Sequence, residues 1–288
     1  MKNIIAFLLI IFLFINCNNR ETKIQNLLGD DYRLFKNTAA WKLAKAVEDG
    51  DVSKIKEEIA QKKIKIDYQE PKFGNTLLML AISNSQYNSV KTLLELGANP
   101  NLTDLYRGES AVICAAKNDD PKYLELVLNY NGNPNAIENA PFKKHDEVRQ
   151  TALLAAINLL DSNSFKKAKL LVEAGANVNY RNFGHTDLPL SEAITSEKMD
   201  VVLYLLENGA DSNLMMYEMV DKHKVYILEA LRKSVLDLKS EQYKNKLKVI
   251  KFLKAKGLDY SKEPIPDYIL KKIKNKYPKN WEDYIKKY

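Results

Sequence analysis

Short apolar clusters recur along the chain at helical spacing. Val90, Leu93 and Leu94 form one, Leu124, Val127 and Leu128 a second, and Val202, Leu205 and Leu206 a third. Each is a stripe at i, i+3 and i+4, the mark of a helix that buries one side. A small-residue turn follows each stripe: Gly97-Ala98-Asn99, Asn131-Gly132-Asn133 and Gly209-Ala210-Asp211, with related turns at Gly175-Ala176-Asn177 and Gly257-Leu258-Asp259. A helix commonly ends on a residue in the left-handed conformation, which Gly adopts freely and Asn tolerates best among the others. Asn131 in place of Gly fits that role.

A second apolar piece precedes each turn by about sixteen residues. It reads Thr76-Leu77-Leu78-Met79-Leu80-Ala81, then Ser110 to Ala115, Thr151 to Ala156, and Leu188-Pro189-Leu190-Ser191-Glu192-Ala193. Thr or Ser at its start can cap a helix, and Pro189 stands at a first-turn position where its missing N–H costs nothing. Polar breaks at Ser83–Gln86, Lys117–Asp120, Leu160–Ser164 and Ser196–Asp200 separate the two pieces, with Asp120 and Asp200 as expected starts of second helices. Each unit is therefore helix, turn, helix. The turn residues Gly97, Asn131, Gly175, Gly209 and Gly257 lie 34, 44, 34 and 48 apart, a base period of 33 to 34 with insertions at Asn139–Gln150 and Leu214–Lys224. Leu93, Val127, Leu171, Leu205 and Leu253 are expected to stack as one ladder, because no unit can bury its stripe alone.

This pattern resembles the ankyrin repeat over roughly Ala40 to Tyr260, with a further first unit at Trp41–Ala60. The resemblance implies an all-α solenoid of five to six repeats with short hairpin-like fingers. The His that usually follows Pro-Leu in the family is replaced by Met79, Ile113, Leu154, Ser191 and Leu228, so its capping network is expected to be absent. Ankyrin arrays bind partner proteins with their finger tips and with the concave face of the first helices. The resemblance therefore implies partner contacts from Tyr68, Phe73, Tyr106, Arg107, Phe142, Tyr180, Arg181, Phe183, Met216 and Tyr217, residue types that favour binding hot spots. The alternative for any of them is that it covers the end of the helical core.

The N-terminus follows different rules. Lys2 precedes an apolar run from Ile4 to Ile15, and the chain turns polar at Asn16. Such a run is too short for a spanning helix, which needs about 20 residues, and has the form of a secretory signal peptide. Cys17 directly after it resembles the acylated Cys of bacterial lipoproteins, although Phe14, Ile15 and Asn16 depart from the usual residues before that Cys. An ordinary signal peptide or an uncleaved anchor are the alternatives. The expected organisation is a signal peptide over 1–16, a lipidated Cys17 and tether over 17–36, the repeat array over 37–260 and a basic helical cap over 261–288. Cys114, in an apolar run, reads as a small buried side chain, leaving no internal disulfide.

Composition changes this picture little: 288 residues, 45% apolar and 28% charged, are ordinary for a folded protein. The net charge of +7 is local: Lys239–Tyr288 holds fifteen Lys against six Asp or Glu, a net of +9, so the rest sums to −2. That argues against nucleic acid as a partner of the whole chain and marks the end as a solvated cap or a surface for anionic lipid or an acidic partner. His145, His185 and His223 fall in expected fingers without metal spacing, and no catalytic or phosphate-binding motif is present, so neither enzyme activity nor a cofactor or metal is expected. The expected function is a monomeric, non-catalytic, membrane-anchored scaffold of the cell envelope that binds a partner protein. Alternatives are an immunity-type protein masking a toxin or enzyme, an envelope tether using the basic end, and an enzyme or ligand-binding lipoprotein with an unrecognised cleft.

Overall fold

The computed structural model describes residues 26–62, 64–139, 149–157, 162–180 and 188–288. Helices alternate in pairs: α1 (Trp41–Glu48) with α2 (Val52–Lys62), α3 (Leu77–Ser83) with α4 (Tyr87–Glu95), and α5 (Ala111–Lys117) with α6 (Pro121–Asn129). They continue with α7 (Ala152–Ala156) and α8 (Ser164–Glu173), α9 (Pro189–Thr195) and α10 (Met199–Glu207), and α11 (Ile227–Lys233) and α12 (Glu241–Ala255). First helices pack on first helices and second helices on second helices, giving two layers with one core between them. Helices α13 (Asp267–Lys276) and α14 (Trp281–Lys287) follow the sixth pair. No helix among the described residues is long and apolar enough to cross a membrane.

Leu93, Val127, Leu171, Leu205 and Leu253 are all fully buried in that core, whereas Leu128 of the expected stripe is only half-buried. Each second helix ends as its sequence requires. Gly97, Asn131, Gly175, Gly209 and Gly257 have φ between +62° and +96°. The following N–H reaches back to the ladder residue's carbonyl, as in Ala98 N to Leu93 O at 2.9 Å and Gly132 N to Val127 O at 3.0 Å. That is the Schellman arrangement, and it uses carbonyls that the helix end would leave without partners.

Behind each turn, Asn side chains stitch unit to unit. Asn101 Oδ1 accepts from Asn133 N at 2.7 Å, Asn135 Oδ1 from Asn177 N at 2.8 Å, and Asn179 Oδ1 from Asp211 N at 2.8 Å. The same side chains donate forward to Asn131 O, Gly175 O and Gly209 O at 2.9 to 3.0 Å. Asn135→Ala should therefore cost about 1–2 kcal/mol, comparable to a lost helix cap, and lower the denaturant midpoint without changing the helical content of the native chain.

Four expectations need correction. The stretch expected to be a tether up to Lys36 is part of the array from Leu27 onward, since Leu27, Tyr32, Leu34 and Phe35 are buried in the core around a 3-10 turn at Tyr32–Phe35. The cap of α3 is not lost with the missing His: Thr76 Oγ1 accepts from Met79 N at 3.3 Å, and the Met79 thioether accepts from Thr76 N at 3.5 Å. In the sixth pair the N-cap is Tyr226, which puts Glu229 rather than Leu228 at the position of that His. Helix α10 begins at Met199, so Asp200 lies inside its first turn. Asp120, by contrast, is the N-cap of α6, with Pro121 at N1.

Candidate interaction cleft

The loops entering the first helices form the fingers, seen as the bridges Thr103–Ser110 and Ile137–Thr151 and as the antiparallel pair β1 (Tyr217–Glu218) and β2 (Lys224–Val225). A carboxylate organises each of three successive fingers, at Glu70, Asp104 and Glu138, 34 residues apart, buried at Glu70 and Glu138 and half-buried at Asp104. Glu70 accepts from the N–H groups of Lys72, Phe73 and Asn75 at 2.7 to 3.1 Å. Asp104 Oδ1 accepts from Tyr106, Arg107 and Gly108 at 2.7 to 3.0 Å. Glu138 accepts from Gln150 N at 3.0 Å and takes Arg107 in a fork, Nε to Oε1 at 2.9 Å and Nη2 to Oε2 at 3.0 Å. Glu138 thus fastens the third finger to the second.

The first two of these fingers lie directly on each other. Leu105 N donates to Phe73 O at 2.7 Å, and Gln69 Nε2 bridges Gly74 O and Thr103 O at 2.7 and 2.8 Å. Gly74 makes the approach possible: its φ is +78°, and a Cβ there would meet Leu105 N at 2.8 Å. Phe73 and Tyr106 meet edge to face, centroids 5.8 Å apart, with the Lys72 ammonium 4.3 Å from the Phe73 ring. Tyr106 remains 57% exposed and Leu105 70% exposed. Between this pair and the first helices lies a cavity of about 240 Å³, floored by Met79, Leu80 and Ser83 of α3 and Cys114 of α5, with Asp104, Arg107 and Glu109 at its rim.

The one thiol lining the cleft, Cys114, is held in its protonated form. Burial, reinforced by the Glu109 carboxylate, pushes the Cys114 thiol well above its usual value, and its Sγ donates to Glu109 Oε1 at 3.3 Å. The thiolate that nucleophilic chemistry needs is thereby disfavoured. Lys117 pairs with Glu109 at 2.9 Å and with Glu138 at 3.5 Å. At about 240 Å³ the cavity is below the ~300–1,000 Å³ of small-molecule sites and matches one large side chain.

Of the residues expected to make partner contacts, Phe73, Tyr106 and Arg107 come together here. Tyr68 instead packs half-buried on Phe35, centroids 6.1 Å apart, covering the core. Tyr180 is half-buried beside the Asn177 turn. Met216 is fully buried and is no contact residue: its N–H pairs with Val225 O at 2.8 Å, and its side chain points into the core. Tyr217 is half-buried under Lys233, whose Nζ stands 4.9 Å from the ring centroid. Phe142, Arg181, Phe183, His145, His185 and Cys17 lie outside the described residues, as do most of the Asn139–Gln150 insertion and the signal-peptide segment. The Leu214–Lys224 insertion carries β1 and presents a fully exposed Val220. His223 Nε2 meets Glu229 Oε2 at 2.7 Å, and among the described residues no group of three or more His, Cys, Asp or Glu could hold a metal.

Comparison with known proteins agrees with this architecture. The family model for ankyrin repeats matches three overlapping segments, residues 10–104, 43–138 and 112–216. Ankyrin repeat protein L86 of Acanthamoeba polyphaga mimivirus is 31% identical over 175 residues, 56% of this chain and 24% of that one. An ankyrin repeat protein of Rickettsia bellii is 26% identical over 181 residues, 61% of this chain and 26% of that one, so the chain spans about a quarter of either relative. Protein PhlB of Serratia liquefaciens is 34% identical over 101 residues, 35% of this chain and 43% of that one. The crystal structure of the ankyrin repeat protein EF0377 superposes with a TM-score of 0.50 at 22% identity, covering 74% of this chain and 96% of that one. Ankyrin repeats generally mediate protein–protein interaction and are generally non-catalytic. Six stacked helix pairs, their left-handed turns and the family match together place this chain in the ankyrin-repeat family.

Proposed function

We propose that this chain is a non-catalytic scaffold that binds one partner protein across its first-helix face, anchored at the cleft between the Phe73–Tyr106 pair and the first helices. The observation that carries the reading is an aromatic pair, Tyr106 exposed and Phe73 half-buried, over a cavity sized for one side chain, set on fingers whose backbone N–H groups are held by the Glu70 and Asp104 carboxylates. Rigid aromatic anchors beside a pocket are the usual centres of binding energy. Val220, in the Leu214–Lys224 insertion, adds a second apolar contact further along the array. The N-terminal run Ile4–Ile15 and Cys17 support display from the cell envelope by a lipid, with the chain acting as a monomer.

The experiment is affinity capture from envelope extracts of the cell that makes the protein, followed by titration of the recovered partner. Tyr106→Ala should weaken binding by about tenfold or more, the range of a hot-spot residue, and leave the melting temperature within a degree or two of the parent, whereas Phe73→Ala, whose half-buried ring packs on the core, should weaken binding and lower the melting temperature as well. An identical set of captured proteins with identical affinities for parent and variants would remove the cleft from the interface.

A further inference from the structure

We infer that the last unit of the array, Lys239–Tyr288, is a docking face for an anionic lipid surface. This inference stands apart from the cleft and does not depend on the partner bound there. Lys244, Lys248, Lys251 and Lys254 lie at i, i+4, i+7 and i+10, on one face of α12, all exposed, opposite the fully buried Val249 and Leu253. Lys271 and Lys272 of α13 are exposed as well. Elsewhere in the array exposed lysines commonly sit against a carboxylate, as Lys91 does against Glu95 and Lys169 against Glu173. In this unit two such pairs occur among the described residues, Lys244 with Glu241 and Lys286 with Asp283, and fifteen Lys outnumber six Asp or Glu, with Lys246 buried and outside the face.

The kind of anion follows from the side chains that carry and interrupt this charge. The unit contains fifteen Lys and no Arg. Nucleic-acid recognition draws on the guanidinium fork for phosphate and base edges, whereas ammonium groups act as hydrated point charges suited to a diffuse field. Leu247 is 46% exposed among the lysines of α12 and Tyr268 is 51% exposed on α13. An apolar or amphipathic group set among flexible lysines matches a headgroup boundary, where stems lie along the interface and ammonium groups reach lipid phosphates. The same chain begins with an apolar run followed by Cys17. A basic patch adds electrostatic attraction to anionic lipid at the end of the array, beside any anchor at the N-terminus.

The test uses the full chain with vesicles of phosphatidylcholine alone and with phosphatidylglycerol added to about 30%. The N-terminus is the same in the parent and in both variants below, so the change in the ratio of partition coefficients between them isolates the basic face. At low salt the ratio should be about tenfold or more in favour of the anionic vesicles, falling toward one as added salt shortens the screening length. The quadruple variant Lys251→Glu, Lys254→Glu, Lys271→Glu, Lys272→Glu should abolish the preference. Lys42→Glu, Lys54→Glu, Lys56→Glu, Lys91→Glu, with the same change in net charge at the other end of the array, should keep it. Equal partition onto both vesicle types, an equal loss in both quadruple variants, or duplex DNA displacing the protein from anionic vesicles would overturn the inference.

Discussion

Replacing Glu138 by alanine should lower the free energy of unfolding by about 2–4 kcal/mol and weaken partner binding at the same time. The carboxylate is 2% exposed and serves Arg107, Lys117 and the Gln150 N–H. Removing one member of a buried, hydrogen-bonded ion pair leaves the other groups without compensation, which costs about 3–5 kcal/mol in a fully buried setting. Arg107 is 47% exposed, so solvent recovers part of that cost and the lower range applies. Affinity falls because the Arg107 fork holds the finger that carries Tyr106, whereas Tyr106→Ala should change affinity and leave stability nearly untouched. Burial pushes the Glu138 carboxyl up, but the Arg107 fork, the Gln150 N–H and the Lys117 charge outweigh it and hold it below the usual carboxylate value of 4.5. A folded value below the unfolded one means that the folded chain binds fewer protons. The stabilisation is therefore fully present above about pH 4.5 and is lost as pH falls below it. Chemical denaturation at pH 7 and pH 3 should show parent and Glu138→Ala converging at the lower pH.

What the sequence revealed and what it hid follow from how each residue type is read. The turn glycines and the apolar ladder were legible because a left-handed turn and a helical stripe each constrain residue type at a fixed spacing. Phe73 and Tyr106 were legible as finger aromatics, but their contact was not, since it depends on Gly74 letting two backbones approach. Met216 and Tyr217 are adjacent in an extended segment, where alternate side chains face opposite ways, and a one-residue error of register exchanges inside for outside. Leu105 escaped notice because an apolar residue is assigned to a core by default. Glu138 escaped for the opposite reason, acids being assigned to the surface, although the 34-residue spacing of Glu70, Asp104 and Glu138 was a usable signal. Tyr32, Leu34 and Phe35 form too short a turn for any periodicity to show.

The second large effect is expected at the end of the array, where Arg232→Met should release α13 and α14 at a cost of about 3–5 kcal/mol. The Arg232 guanidinium is 7% exposed and donates to Glu263 O at 3.1 Å, Tyr288 O at 3.1 Å and Tyr260 O at 2.9 Å, while stacking 3.8 Å from the Tyr260 ring centroid. Lysine has no planar fork to reach three carbonyls, so Arg232→Lys should rescue little. In amide exchange the protection of α13 and α14 should collapse while α3 to α8 keep theirs, because units of a solenoid are coupled mainly to their neighbours. A second, opposed consequence concerns Lys246, which is 1% exposed, donates to Ser234 O at 3.1 Å and lies 4.1 Å from the Tyr288 ring. Burial, and after it the positive charge of Arg232, pull the Lys246 ammonium down to about 7 from 10.5, with Glu197 opposing. Between those values the unfolded chain binds more protons than the folded one, so parent stability should rise with pH from about 7 toward 10. Lys246→Met should remove that slope. Arg232→Met should keep the part due to burial and lose the part due to charge, becoming less stable than the parent at every pH yet flatter across the window. A parent curve flat from pH 7 to 10 would mean that the ring of Tyr288 and the Ser234 carbonyl hold the ammonium charged, and that the two cations share their buried site without penalty.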